Sequence, residues 1–125
     1  MKIKLETAVK AAQVVARLNA IRMKSPATAR KLFSLKKLLE PNFEFYANEE
    51  QKMIDDLGGA VAEDGSILFA DQPAGIQKLS EGRKELLETE VDVPIDTPII
   101  FRDGEGIQVS GDEIGILEGL AEFKE

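Results

Sequence analysis

The stretch Ser25–Leu57, SPATARKLFSLKKLLEPNFEFYANEEQKMIDDL, decides the fold, because it reads as one long helix around which the rest of the chain packs. Ser25 supplies a side-chain oxygen for free N–H groups, and Pro26 a fixed φ suited to a first helical turn. Gly58-Gly59 is the matching stop. Between these signals Leu32, Leu35, Leu39, Tyr46, Met53 and Leu57 recur at steps of three, four and seven, the spacing of one helix face. At about 1.5 Å per residue the helix spans roughly 48 Å. Pro41 stands in its middle, where a proline removes a backbone donor and crowds the carbonyl of residue 37, at a cost of about 3 kcal/mol. Two outcomes stay open: a kinked continuous helix, or helices over 26–39 and 42–57 meeting at a corner. Leu32, Leu39, Tyr46 and Met53 keep their phase across the proline, which favours the kink.

On the N-terminal side, Ile3 and Leu5 alternate with Lys2 and Lys4 as in a short strand. A helix over about 7–23 follows, with Thr7 or Glu6 as its cap. Ala8, Ala11, Ala12, Val14, Val15, Leu18 and Ile21 cover most of its surface. The short link to Ser25 makes the two helices an αα-hairpin, occupying about 1–58. On the C-terminal side, Ala60-Val61-Ala62 and Ser66-Ile67-Leu68-Phe69 flank Glu63-Asp64-Gly65, a hairpin around an Asp-Gly turn. A helix over about 73–88 comes next, then the extended run Val91–Ile95, whose Pro94 suits an edge strand. Ile99-Ile100-Phe101 and Ile107-Gln108-Val109 read as a second hairpin, turning at Asp103-Gly104 with Gly106. Ser110, with Glu113 three residues on, starts a last helix bearing Ile114, Leu117, Leu120 and Phe123. The expectation is one α+β domain over 1–125. Its long helical hairpin lies beside a smaller unit, about 60–125, of short β-hairpins and two helices.

Composition narrows the chemistry. Cysteine and histidine are both absent, which removes thiolate and imidazole ligands, disulfides, and the commonest general base near neutral pH. No tryptophan and a single tyrosine leave few platforms for stacking bases. No apolar run is long enough to span a membrane, and the N-terminus does not resemble a signal peptide. The net charge of −7 divides unevenly: residues 1–39 carry +9 and residues 40–125 carry −16. A basic end of this kind meets nucleic acid, the acidic half of its own chain, or a neighbouring copy.

The acids form two sequence clusters: Asp55, Asp56, Glu63 and Asp64, and Asp103, Glu105, Asp112 and Glu113. Neither has the alternating acids and closing Glu of a calcium loop, and turns and helix starts account for both. We therefore expect no metal, no cofactor and no catalytic residue. Ser110 is a cap rather than a nucleophile, since no histidine exists to activate it. The basic candidates are Lys10, Arg17, Arg30, Lys31, Lys36 and Lys37; a turn near Ser25 breaks the seven-residue recurrence Lys10, Arg17, Lys24, Lys31. Phe33, Phe43, Phe45 and Phe69 read first as core, although an extended helical arm leaves some of them for a partner. Candidates for a protein contact are Leu32, Leu35, Leu39, Phe43, Phe45 and Tyr46.

The run Lys84-Glu85-Leu86-Leu87-Glu88-Thr89-Glu90-Val91-Asp92-Val93-Pro94-Ile95, followed by Ile107 to Glu118 (IQVSGDEIGILE), resembles a family of small bacteriophage and prophage proteins of unknown function. The resemblance covers residues 84–120. It implies a structural, assembly or accessory role in a phage, inside the host bacterial cytoplasm or on the virion, and brings no functional residue with it. The expected function is non-enzymatic and works by protein–protein contact, with a second copy or another phage protein. The alternative is a nucleic-acid-binding module using the basic N-terminal helices.

Overall fold

The computed structural model describes residues 1–102 and 105–124. The protein is α+β, in the order β1 (Lys2–Lys4), α1 (Leu5–Ala20), α2 (Pro26–Asp56), β2 (Ala60–Val61), β3 (Ile67–Leu68), α3 (Gln72–Glu88), β4 (Glu90–Asp92), β5 (Ile99–Arg102), α4 (Gly111–Ile116) and β6 (Ala121–Lys124). Helix α2 runs without interruption through Pro41, so the two-helix alternative is excluded. Its ends are made as the sequence indicates. Ser25 Oγ accepts from the Thr28 N–H at 3.4 Å, and Pro26 fills the first position. At the other end the Gly59 N–H returns to the Ile54 carbonyl and the Gly58 N–H to Asp55, a paired closure that satisfies carbonyls a helix end leaves free.

Helix α1 is shorter than expected and starts earlier. It leaves β1 directly at Leu5, whose N–H donates to the Thr89 carbonyl at 2.7 Å, so neither Thr7 nor Glu6 serves as a cap. It stops at Ala20, with Ile21 already extended, and Met23 reaches the core from the connection instead. The αα-hairpin is as expected. Ala11, Val15 and Leu18 of α1 face Leu32, Leu35 and Leu39 of α2, all fully buried.

Strand β1 pairs antiparallel with β4, which sets Lys2 opposite Asp92 and Lys4 opposite Glu90, two favourable cross-strand charge pairs. Strands β2 and β3 form the expected hairpin, and Asp64 Oδ1 accepts from the Ser66 N–H and hydroxyl at its turn. The second expected hairpin does not form. Ile107–Val109 is not a strand; Ile107 and Val109 lie half-buried against the core. The partner of β5 is β6, in parallel, with Phe101 and Phe123 in register and stacked at 5.5 Å. The expected turn at Asp103-Gly104 lies outside the described residues.

The last helix is also shorter than its apolar spacing indicates. Ser110 and Glu113 make the full capping box, but α4 ends at Ile116. Gly119, at φ +81°, takes the left-handed conformation that closes a helix at low cost. The chain then re-emerges as β6, which carries Phe123 onto Phe101 across a sheet rather than along a helix face.

The C-terminal residues do not gather into one separate unit. They divide between two cores strung on α2. The larger joins the α1–α2 hairpin to Val93, Ile95, Phe101, Leu117, Leu120 and Ala121. The smaller holds Ile54, Phe69 and Leu79, with Met53, Leu57 and Ile67 packed around it. Between them no residue from Glu40 to Lys52 is fully buried.

Candidate functional site

That bridging stretch of α2 carries Pro41, Phe43 and Phe45, all exposed. Phe43 keeps 37% of its surface open to solvent and Phe45 44%, where an aromatic ring would ordinarily be covered. The two rings do not form one patch. Two positions apart on a helix, they leave its axis about 200° apart. Phe43 borders the buried stripe, whereas Phe45 stands on the far flank. Phe33 is exposed as well, at 51%, with the Lys37 ammonium 5.4 Å from its ring centre. Of the four aromatics first read as core, only Phe69 is buried. A helical wheel separates them: Phe33 and Phe45 fall off the Leu32–Leu35–Leu39 stripe.

Phe43 forms one wall of an open groove of about 350 Å³ between α1 and α2. Ala12, Gln13 and Ala16 line the α1 side, and Lys36, Glu40 and Glu44 line the α2 side with Phe43. Two alanines on one helix and a bulky ring on the other leave a step where the two helices do not fill the space between them. Among the described residues neither Lys36 nor Glu44 makes an ion pair, whereas Glu40 has Lys37 at 3.9 Å.

The other contact candidates belong elsewhere. Leu32, Leu35 and Leu39 are the centre of the larger core, with no surface to offer a partner. They are on the stripe because that stripe faces α1, not solvent. Tyr46 is half-buried, and its hydroxyl donates to Glu50 Oε2 at 2.7 Å while Arg83 Nε of α3 donates to the same oxygen at 3.0 Å. Burial first, then the Glu50 carboxylate, pushes the Tyr46 phenol up to about 12. The Arg83–Glu50 pair holds α2 to α3.

Most of the basic candidates are already engaged within the chain. Lys10 pairs with Glu6 at 3.1 Å. Arg17 Nε donates to Glu113 Oε2 at 3.0 Å, tying α1 to the start of α4. Lys37 stands near Glu40 and over Phe33. Lys31 Nζ donates to Glu105 Oε1 and to the Ile100 carbonyl, both at 2.9 Å. Arg30 and Lys36 remain, on separate grooves; Arg30 shares its own with Pro26, Ser34 and Ile99. The six residues form no single basic face.

Glu105 is the polar centre that sequence reading passes over as a turn acid. Its carboxylate receives the hydroxyl of Thr28 at 2.7 Å, the Lys31 ammonium and the backbone N–H of Arg102. Thr28 is the one fully buried polar residue among those described, and this bond satisfies it. The Arg102 N–H, then Lys31, then Thr28 hold the Glu105 carboxyl down to about 2. Glu113 is lowered likewise, first by the Ser110 N–H and then by Arg17. These acids fasten elements together. Among the described residues no three His, Cys, Asp or Glu side chains assemble into a group able to hold a metal ion, and no described helix is long and apolar enough to cross a membrane.

No protein-family model, no curated protein and no solved structure matches the chain.

Proposed function

We propose that the protein is a non-enzymatic phage or prophage accessory or assembly protein that acts through protein–protein contact along the middle of α2. One observation carries the reading: the stretch between the two cores has no fully buried residue, yet it bears Phe43 and Phe45 exposed at its surface. Aromatic side chains, phenylalanine among them, are enriched at protein interfaces relative to the rest of the surface. The resemblance over residues 84–120 supplies the phage setting. The nucleic-acid alternative has less support, since Lys10, Arg17, Lys31 and Lys37 already face carboxylates of their own chain.

A photo-crosslinking phenylalanine analogue tests the contact reading in the bacterial cell that makes the protein. Placed at Phe43 or Phe45, it should give discrete protein adducts. Placed at the equally exposed Ile114, it should give none. Equal labelling at all three positions, or no adducts at any of them, refutes the reading. A gel shift with single- and double-stranded DNA and RNA at low salt addresses the alternative, which requires affinity that falls steeply with salt.

A further inference from the structure

We infer that the groove between α1 and α2 is a two-fold interface, and that its occupant is Phe43 of a second copy of this chain. The inference rests on the protein-contact reading above and names its partner and surface. A two-fold contact must be self-complementary, so one patch has to carry both the knob and the hole, and both signs of charge. This patch does. Phe43 is the knob, the step at Ala12 and Ala16 is the hole, and Lys36 and Glu44 are opposite charges without partners of their own among the described residues. Their spacing fits one arrangement. When two α2 helices cross antiparallel with the two-fold axis at position 40, Lys36 of each copy lies opposite Glu44 of the other, both four residues from the axis. Phe43 then falls opposite position 37 of the other copy, on the part of the hairpin where the alanine-lined groove is open. The same arrangement brings the two Glu40 carboxylates together on the axis, an unfavourable contact that limits the affinity.

Light scattering across protein concentration, with sedimentation for the dissociation constant, tests this on the full chain. The unsubstituted protein should dimerise reversibly and less tightly as salt rises, because two exposed ion pairs are screened. Lys36→Glu and Glu44→Lys should each weaken the dimer about tenfold or more, and the double variant should recover to within about threefold. Phe43→Glu should leave a monomer with an unchanged circular dichroism spectrum. Glu40→Gln should tighten the dimer by relieving the contact on the axis.

A protein that stays monomeric into the millimolar range, yet crosslinks from Phe43 to a different protein, overturns the second copy and leaves the contact reading standing. A monomer without adducts overturns both. A dimer indifferent to Phe43→Glu and to the charge reversals overturns the groove as its interface, and a double reversal no better than either single one overturns the antiparallel register.

Discussion

Leu35 and Ile54 lie on the same helix and in different cores, and the contrast between those cores explains most of the molecule. Around Leu35 the hairpin partner α1, the segment through Val93 and Ile95, β5 and the α4–β6 end all converge. Around Ile54 there are only Phe69, Leu79 and three partly buried neighbours. The larger core is built from segments distant in sequence and fastened at its rim by Arg17–Glu113 and by the Glu105 clasp. The smaller is built from consecutive elements, α2, the β2–β3 hairpin and α3. A small core with few buried groups opens at lower free energy than the whole fold. The contrast also isolates the middle of α2, which belongs to neither core and is held to α3 by the Arg83–Glu50 pair.

The contrast is most sharply broken by truncation on each side. Leu35→Ala should destabilise the protein by about 3–5 kcal/mol in denaturant titration, the cost of a cavity in a fully buried site. Leu79→Ala should cost about 2–3 kcal/mol and act mainly on local opening of residues 54–79. Equal effects on global unfolding would mean that the two cores are one cooperative unit. Next in size is Gly75→Ala. A Cβ there would overlap Phe69 Cγ and lie 2.7 Å from Phe69 Cβ, so Phe69 as a whole and not its ring alone must shift, at a cost of about 1–3 kcal/mol confined to the smaller core.

The Glu105 clasp separates the cores by pH. Its carboxyl titrates near 2 when folded, below its ordinary 4.5, so its contribution is complete above about pH 4.5 and is lost as pH falls towards 2. Glu105→Gln should cost roughly 1–2 kcal/mol at neutral pH, with solvent moderating the effect of a carboxyl that is 19% exposed. The gap between the two proteins should close on acidification through that window. A gap that stays constant down to pH 2 would remove the clasp from the account. The smallest effect is expected at Phe45→Ser, within about 0.5 kcal/mol by thermal unfolding, because the ring contributes little to either core.

Local chemistry was legible in the chain and pairing was not. Ser25-Pro26, Gly58-Gly59 and the Ser110–Glu113 box mark helix ends by bonds between residues a few positions apart, and each end is where those signals put it. The α1–α2 hairpin follows from the facing apolar stripes. What failed depends on distant partners. Ile107–Val109 alternates like a strand, but the neighbour of β5 is β6, whose apolar residues had the spacing of a helix. A period of three to four in a short segment broken by Gly115 and Gly119 does not distinguish a helix from a helix, turn and strand. For the candidate surface, the Leu32–Leu35–Leu39 stripe was legible as an apolar face but not as one already covered. Phe43 and Phe45 read first as core, with a partner contact as the other use of such rings, and both are exposed. Their exposure depends on the absence of a third layer over the middle of α2, which no local pattern records.

Hydrogen exchange followed peptide by peptide, at low and at high protein concentration, tests most directly whether that uncovered middle is a contact surface. At high concentration the amides of residues 12–16 and 36–44, which carry the two-fold contact, should gain protection relative to low concentration, while residues 60–70 do not. Exchange across 36–44 that is indifferent to concentration, or protection that rises evenly along the chain, would contradict the assignment of this surface to a second copy.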